Sequence, residues 1–345
     1  MINQRHALLT PLIIFLCLLF CLNGCASTRP EAATPYDGTD YIRESDLLFY
    51  DLSDYESIPT NPNGSLSVPT YITKLDGMYF IVDCYHNQVI YNDNLSDPLY
   101  LWNVMTNNIS MGHTIASDGQ VYLIDDTENN RVLVMEKMKN NSGEAVYVPT
   151  QEFNEIGNRP HYIIYDEYTD TFYVWSSQSG EMYLFRHTNS STRMYLTKVL
   201  SIPELDGVYV RSFTIMDDRI YFVSGNSNII EADLYTFKIL NRYPVPDEIA
   251  GMVQLEKIQN YYYITVSTDI TGNQDYATLI RVKNLKDLED GSYEDVYSNF
   301  IGGGTPYSLT KIDDRYYLTE HRLPGHSIWS FRVEDDEITD VITVY

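Results

Sequence analysis

Six recurrences of one tyrosine-centred tripeptide, turn signals ahead of most of them, and apolar runs without a sustained helical period predict an all-β chain. The expected architecture is a six-bladed β-propeller of four-stranded antiparallel blades. In the tripeptide, Tyr stands between apolar or aromatic residues: Met78-Tyr79-Phe80, Val121-Tyr122-Leu123, Phe172-Tyr173-Val174, Ile220-Tyr221-Phe222, Tyr262-Tyr263-Ile264 and Tyr316-Tyr317-Leu318. The central tyrosines are 43, 51, 48, 42 and 54 residues apart. Two related phrases, DDRIYFVSG at 217–225 and DDRYYLTEH at 313–321, lie 96 residues apart, two periods of about 48. Such a period belongs to propellers or to helical repeats, so the content of each unit decides.

Taken in order, each unit opens with a short apolar strand, beginning near Val68, Met111, Arg159, Tyr209, Ala250 and Gly304. A turn signal follows in five of the six: Asp76-Gly77, Asp118-Gly119, Asp217-Asp218, Gln259-Asn260 and Asp313-Asp314. Asp, Asn and Gly tolerate the backbone angles of tight hairpins. The tyrosine strand comes next. In Ile220-Tyr221-Phe222-Val223 the apolar residues do not alternate with polar ones, so both faces must be covered, as they are in a blade stacked between two others. Arg131–Met135 exemplifies a third strand, and Met194–Ser201 or Phe237–Tyr243 a fourth. The propeller is expected over residues 68–345, with 41–67 an N-terminal extension that caps or closes the ring. Leu47–Leu52 suits an added strand in the last blade, but Ile338–Val344 already reads as its fourth.

Residues 1–24 read as a signal peptide: Arg5 gives the positive start, and Leu12–Leu22 is an apolar run too short to span a bilayer permanently. The run ends in Leu22-Asn23-Gly24-Cys25, which resembles the lipobox of bacterial lipoproteins and implies diacylation of Cys25. Two acyl chains hold a protein stably on a membrane. Residues 25–40, small, polar and Pro-containing, then form the lipidated Cys and a flexible tether. The expected location is extracytoplasmic and membrane-anchored, at the cell surface or in the periplasm. Cys17 and Cys21 fall within the signal peptide, leaving Cys84 with no partner for an intramolecular disulfide. The formal charge of −25 argues against a nucleic-acid partner, which requires a basic face, and against attraction to anionic lipids. The acyl anchor is therefore the expected link to the membrane.

The stretch MGHTIASDGQVYLIDDTENNRVLVMEK, residues 111–137, resembles an NHL repeat: a Gly, an apolar pair, a D-G turn, an apolar strand, a D-x-x-N-N-R turn and a last apolar strand. VPTYITKLDGMYFIVDCYHNQVIY at 68–91 keeps much of the pattern, and TPYSLTKIDDRYYL at 305–318 its front half. Blades 3 to 5 lack the Asn-Arg turn. The resemblance implies an NHL-like propeller but no single activity, because such propellers serve as lyases, hydrolases and binding platforms.

Aligning the units on their turns puts Thr70, His113, His161, Arg211 and Tyr307 at equivalent positions near the start of the first strand, with Met252 or Val253 in blade 5. Equivalent positions in a ring face one axis, so these residues are candidates to bind a ligand at the channel mouth. His113 and His161 either share a metal, Zn or Ca, or hydrogen-bond within a water-filled channel. A second candidate set lies in the loops after the tyrosine strands: Asp83, Tyr85 and His86; Asp125, Asp126, Glu128 and Arg131; Glu320, His321 and His326. There His86 and His321 are expected to be neighbours. This set resembles the histidines that NHL-like amidating lyases gather around zinc, although no local spacing reproduces a metal motif. The Asp125–Arg131 turn also reads as a structural hairpin, and Cys84 as a packed small residue. Three functions stay open: a non-catalytic binder of a small ligand or envelope protein, a metal-assisted lyase or hydrolase, and an envelope scaffold.

Overall fold

A computed structural model describes residues 34–345. The signal peptide, Cys25 and most of the tether lie outside the described residues. Six antiparallel sheets follow one another along the chain, each built on four strands in sequence order from its inner to its outer edge, with a fifth short strand added to the outer edge of two of them. Blade 1 comprises Pro69–Leu75, Met78–Asp83, Gln88–Asn92 and Asn103–Thr106, and blade 6 comprises Thr305–Ile312, Arg315–His321, Ile328–Glu334 and Glu337–Thr343. The inner strands of blades 2 to 5 are Ile115–Ser117, Pro160–Asp166, Val210–Met216 and Gly251–Ile258. The protein is thus an all-β six-bladed propeller.

The turn signals act as their chemistry requires. Asp76 and Gly77 both have positive φ, 47° and 77°, as a two-residue hairpin with right-handed twist demands. Asp217, Gln259 and Asp313 take φ of 53–55° at the same place in later blades. The tyrosine strands of blades 2 and 3 are covered on both sides: every residue of Val121–Asp126 and of Thr171–Ser176 is buried. Among the described residues the core divides into six clusters, each between two adjacent blades. In one of them, Ile72, Ile81 and Ile90 of blade 1 meet Ile312, Tyr317 and Ile328 of blade 6, so packing closes the ring. Tyr122 and Tyr263 are at most 1 % exposed, whereas Tyr221 is only half-buried.

The segment 41–67 follows a course that its composition does not show. Arg43–Glu44 pairs with Leu196 and Tyr195 on the outer edge of blade 3, and Asp46–Leu47 with Gln151 and Glu152 on that of blade 2. Farther on, Thr60 bridges to Asn103, and Val104 N–H donates to the Pro59 carbonyl at 2.8 Å, on the outer edge of blade 1. The extension is therefore a strap over three blade edges, where unpaired backbone groups gain partners. The end of the expected tether is also engaged: the Thr34 carbonyl accepts from Arg186, and Tyr36 packs edge-on against Tyr195. Closure of blade 6 uses its own C-terminal strand, with Tyr345 as a latch. The Tyr345 hydroxyl accepts from Trp102 Nε1 at 2.9 Å and lies 2.6 Å from the carbonyls of Leu95 and Asp97 in blade 1. In blade 5 the outer strand shrinks to Glu294–Asp295, and the acidic stretch before it forms a 3-10 turn that buries Leu285 and Leu288.

The inner strands present unpaired edges to the axis, and side chains of neighbouring blades satisfy them in a closed belt. Thr70 Oγ1 donates to the His113 carbonyl, Thr127 Oγ1 reaches the Pro160 carbonyl and His161 Nδ1 donates to the Arg211 carbonyl. Ser212 Oγ, Thr265 Oγ1 and Thr319 Oγ1 carry the belt to the carbonyls of Val253, Tyr307 and Thr70. Each blade is thus tied to the next around the channel, from blade 6 back to blade 1.

Candidate functional site

At the end of the channel where the inner strands begin, all six blades contribute to a cavity of about 220 Å³. Its wall shows a period of two. Val68 and Thr70, Met111 and His113, Tyr209 and Arg211, and Thr305 and Tyr307 all line it, because alternate residues of an extended chain face one side. Blade 3 supplies Arg159 to the wall; His161, two residues on, lies just behind. Blade 5 sends neither Met252 nor Val253, which are buried at 2 % exposure; Ser267, Thr268 and Gln274 take their place.

The structure therefore brings together Thr70, Tyr85, His113, Arg211, Tyr307 and His321 on one wall, with His161 behind them. His86 is elsewhere: its Nδ1 is 2.6 Å from Asp83 Oδ2, and it is not part of the cavity wall. No contact joins it to His321 among the described residues. Arg159, Tyr209, Ser267 and Gln274 were missed from sequence. Arg159 and Tyr209 had a signal, since each stands two residues before an aligned candidate.

The loop residues of the second set are mostly structural. Asp126 accepts from Asn129, Arg131 and the Ser110 N–H, and Arg131 also reaches Glu152 at 2.7 Å, so this turn pins one blade entrance. Asn130 takes the left-handed conformation, φ 50°, that lets the turn close. Glu320 is fully buried, accepting from Tyr297 Oη and from Trp329 Nε1 at 2.7 Å. His326 stacks on Trp329, their ring centroids 5.3 Å apart.

His113 and His161 lie face to face, with ring centroids 3.6 Å apart and planes 24° apart. His161 Nδ1 donates to the Arg211 carbonyl at 2.9 Å, so Nε2 accepts from Tyr209 Oη at 3.0 Å. Both its nitrogens are spent. His113 Nδ1 is 3.0 Å from Thr127 Oγ1, and its Nε2 is 3.8 Å from Cys84 Sγ. Stacked rings send their in-plane lone pairs side by side rather than to one point, an arrangement that does not suit a shared ion. Among the described residues no group of three His, Cys, Asp or Glu is placed to hold a metal.

Burial, then the guanidiniums of Arg159 and Arg211, lowers the His113 pKa to about 3. Burial, then His113, pushes His161 well down, and burial, then Arg322 and Arg211, brings His321 to about 4. Each imidazole is neutral at physiological pH. Behind His113, Asp125 accepts from the N–H groups of His113 and Thr114 at 2.8 and 2.6 Å and from the Thr114 hydroxyl, with Thr127 Oγ1 3.0 Å away. Burial outweighs those bonds and raises its pKa to about 6. Burial, then the carboxylates of Asp125 and Asp83, drives the Cys84 thiol up, so it remains protonated and unreactive. The wall includes two guanidiniums, Arg159 and Arg211, and no carboxylate among the described residues.

No family model matches the sequence, and no curated protein matches it. Solved structures do resemble the fold. A candidate 6-phosphogluconolactonase from Bacteroides fragilis is similar with a TM-score of 0.56 at 12% identity, over 90% of this chain and 94% of that one. Streptogramin B lyase gives 0.52 at 13%, covering 88% of each chain. A catalytically inactive virginiamycin B lyase from Staphylococcus aureus, with quinupristin, gives 0.52 at 15%, over 84% and 88%. At these identities the likeness carries the propeller fold alone.

Proposed function

We propose that this chain is a lipid-anchored, extracytoplasmic propeller of NHL-like design that binds a small ligand at its channel mouth and returns it unchanged. The observation that supports this reading is the cavity of about 220 Å³ to which all six blades contribute polar side chains. Two of the groups best suited to chemistry are engaged: the Cys84 thiol keeps its proton, and His161, behind the wall, has both nitrogens bonded. The anchor is the acylated Cys25.

Two measurements test the reading. Cys25→Ala is expected to move the protein from the membrane fraction to the soluble one; continued partitioning into membranes refutes the anchor. For binding, the full chain in detergent is screened by thermal shift against a panel of small metabolites, with each stabilising compound recovered and checked by NMR. Stabilisation that Val68→Trp abolishes, with the compound unchanged, is expected. Turnover accompanied by stoichiometric metal favours a metal-assisted lyase or hydrolase instead, and stabilisation that survives Val68→Trp places the ligand elsewhere.

A further inference from the structure

We infer that the ligand of the channel mouth is a small hydroxylated monocarboxylate held by the Arg211 guanidinium, an inference that rests on the binding reading above. Charge pairing is the first argument. Of the twelve arginines among the described residues, nine form ion pairs with carboxylates. Arg43, Arg211 and Arg322 do not, and two of these three belong to the mouth: Arg211 lines the cavity and Arg322 donates to the Gln274 carbonyl at its rim. In a chain with 48 acidic and 23 basic residues, guanidiniums without carboxylates are not a consequence of composition.

Arg211 is half-buried and braced rather than neutralised. Its Nη1 donates to the Gly251 carbonyl at 3.3 Å and to Ser267 Oγ, and its guanidinium lies 5.3 Å from the centre of the Tyr209 ring. Nη2 and Nε have no protein acceptor among the described residues. A half-desolvated cation calls for an anion, and a planar fork fits a carboxylate through two parallel hydrogen bonds. The anion carries one charge because only one guanidinium of the wall is uncompensated. Arg159 is already paired with Glu128, and Arg322 is exposed to water.

Size and neutral lining narrow the class. At ~30 Å³ per water, a cavity of about 220 Å³ has room for roughly seven waters, hence for a carboxylate and a short polyol but not for a peptide or nucleotide. Around it, Thr305 offers a hydroxyl, Gln274 an amide, Tyr307 a phenol and His321 a neutral imidazole, while Ser267 is engaged with Arg211 and Gly251. These groups suit the hydroxyls of a ligand rather than a second charge.

Isothermal titration of the full chain in detergent decides, with glycerate and gluconate as probes and inorganic phosphate and glucose as comparators. Glycerate or gluconate is expected to bind, more weakly as salt is added, and Arg211→Gln to weaken that binding by at least about tenfold. Should Arg211→Gln not fold, Arg211→Lys keeps the charge without the fork, and weakening of several-fold is expected. Unchanged affinity in either variant overturns the inference. Glucose binding as tightly as gluconate refutes the carboxylate while leaving a binding protein, and phosphate binding more tightly than either acid refutes the single charge. If none of the four binds while other compounds stabilise the chain through the mouth, the carboxylate class is wrong and the binding reading survives.

Discussion

Replacing His113 by Gln tests the electrostatics of the mouth. His113 is 6 % exposed and has a folded pKa of about 3 against the 6.5 of a free imidazole. Because the folded state keeps it neutral, the unfolded chain binds the extra proton as the pH falls below 6.5. The stability that this group contributes is therefore complete above pH 6.5 and is lost progressively on acidification towards pH 3. At pH 5 the loss is 1.5 pH units at 1.36 kcal/mol each, about 2 kcal/mol. Gln keeps a donor for Thr127 and cannot titrate, so the variant does not pay this acid penalty. Urea unfolding of both proteins at pH 7.5 and pH 5, followed by tryptophan fluorescence, gives the difference in stability at each pH. His161, His321 and Asp125 titrate in both proteins and largely cancel. The stability of the native protein relative to the variant is expected to drop by about 2 kcal/mol between the two pH values. A gap that stays constant would mean that His113 titrates like a solvated imidazole, and the closed, stacked pair would be wrong.

Other perturbations test separate parts of the molecule. Tyr345→Phe removes the hydroxyl that joins the last residue to Trp102 and the Leu95–Asp97 loop, and is expected to cost about 1–2 kcal/mol and lower Tm by a few degrees in a thermal melt. Arg131→Ala leaves the fully buried Asp126 carboxylate without its cation; a destabilisation of about 3–5 kcal/mol by urea titration is expected, and Arg131→Lys should rescue only part of it. Glu256 stands on the inner strand of blade 5, near enough to Tyr71 and Tyr162 of blades 1 and 3 to act on their phenols, and burial raises its pKa to about 7 against a free value of 4.5. Its carboxylate is thus costly above pH 7 and harmless below pH 4.5, so Glu256→Gln should stabilise at pH 8, with the gain shrinking steadily as the pH is lowered to 5.

The legible parts of this sequence are those in which every blade faces the same physical demand. A tyrosine strand pressed between two sheets needs apolar residues on both faces, and the hairpin before it needs positive φ, so Val121–Asp126 and Asp76-Gly77 announce themselves. Predicted first-strand starts match the structure to within about one residue except in blade 2. There Asp125 takes up the N–H groups of His113 and Thr114, and the strand pairing begins only at Ile115. The strap escaped notice because an edge needs only two residues of any kind to accept a partner, and Arg43–Glu44 and Asp46–Leu47 have no periodic pattern. At the mouth, alignment found one residue per blade where the chain presents two. Blade 5 departs from the rule: Met252 and Val253 are buried, and its share of the wall comes from Ser267 and Thr268 at the end of the second strand and from Gln274 beyond it. His86 was expected beside His321, yet it sits in a 3-10 turn that holds its ring to Asp83, whereas His321 ends a strand at the cavity wall.

The net charge of −25 and the anion proposed for the mouth are compatible because the two act over different distances. Exposed carboxylates beyond about 8 Å are screened at physiological salt, so they govern encounter more than hold. Near the mouth the acids are engaged by their surroundings, and Asp269, which lines an adjoining cavity with Arg211, accepts from Thr271 and the Asn273 N–H. Glu128 is committed to Arg159, and burial makes Asp125 favour its proton up to a pH of about 6 while hydroxyl and amide donors absorb its charge. The imidazoles add no charge of either sign, because burial and the two guanidiniums hold them neutral. What remains to act on a ligand is the field of Arg211, undiluted by water on the side where Ser267, Gly251 and Tyr209 brace it. An acidic protein can thus repel anions from afar and still retain one that reaches the mouth.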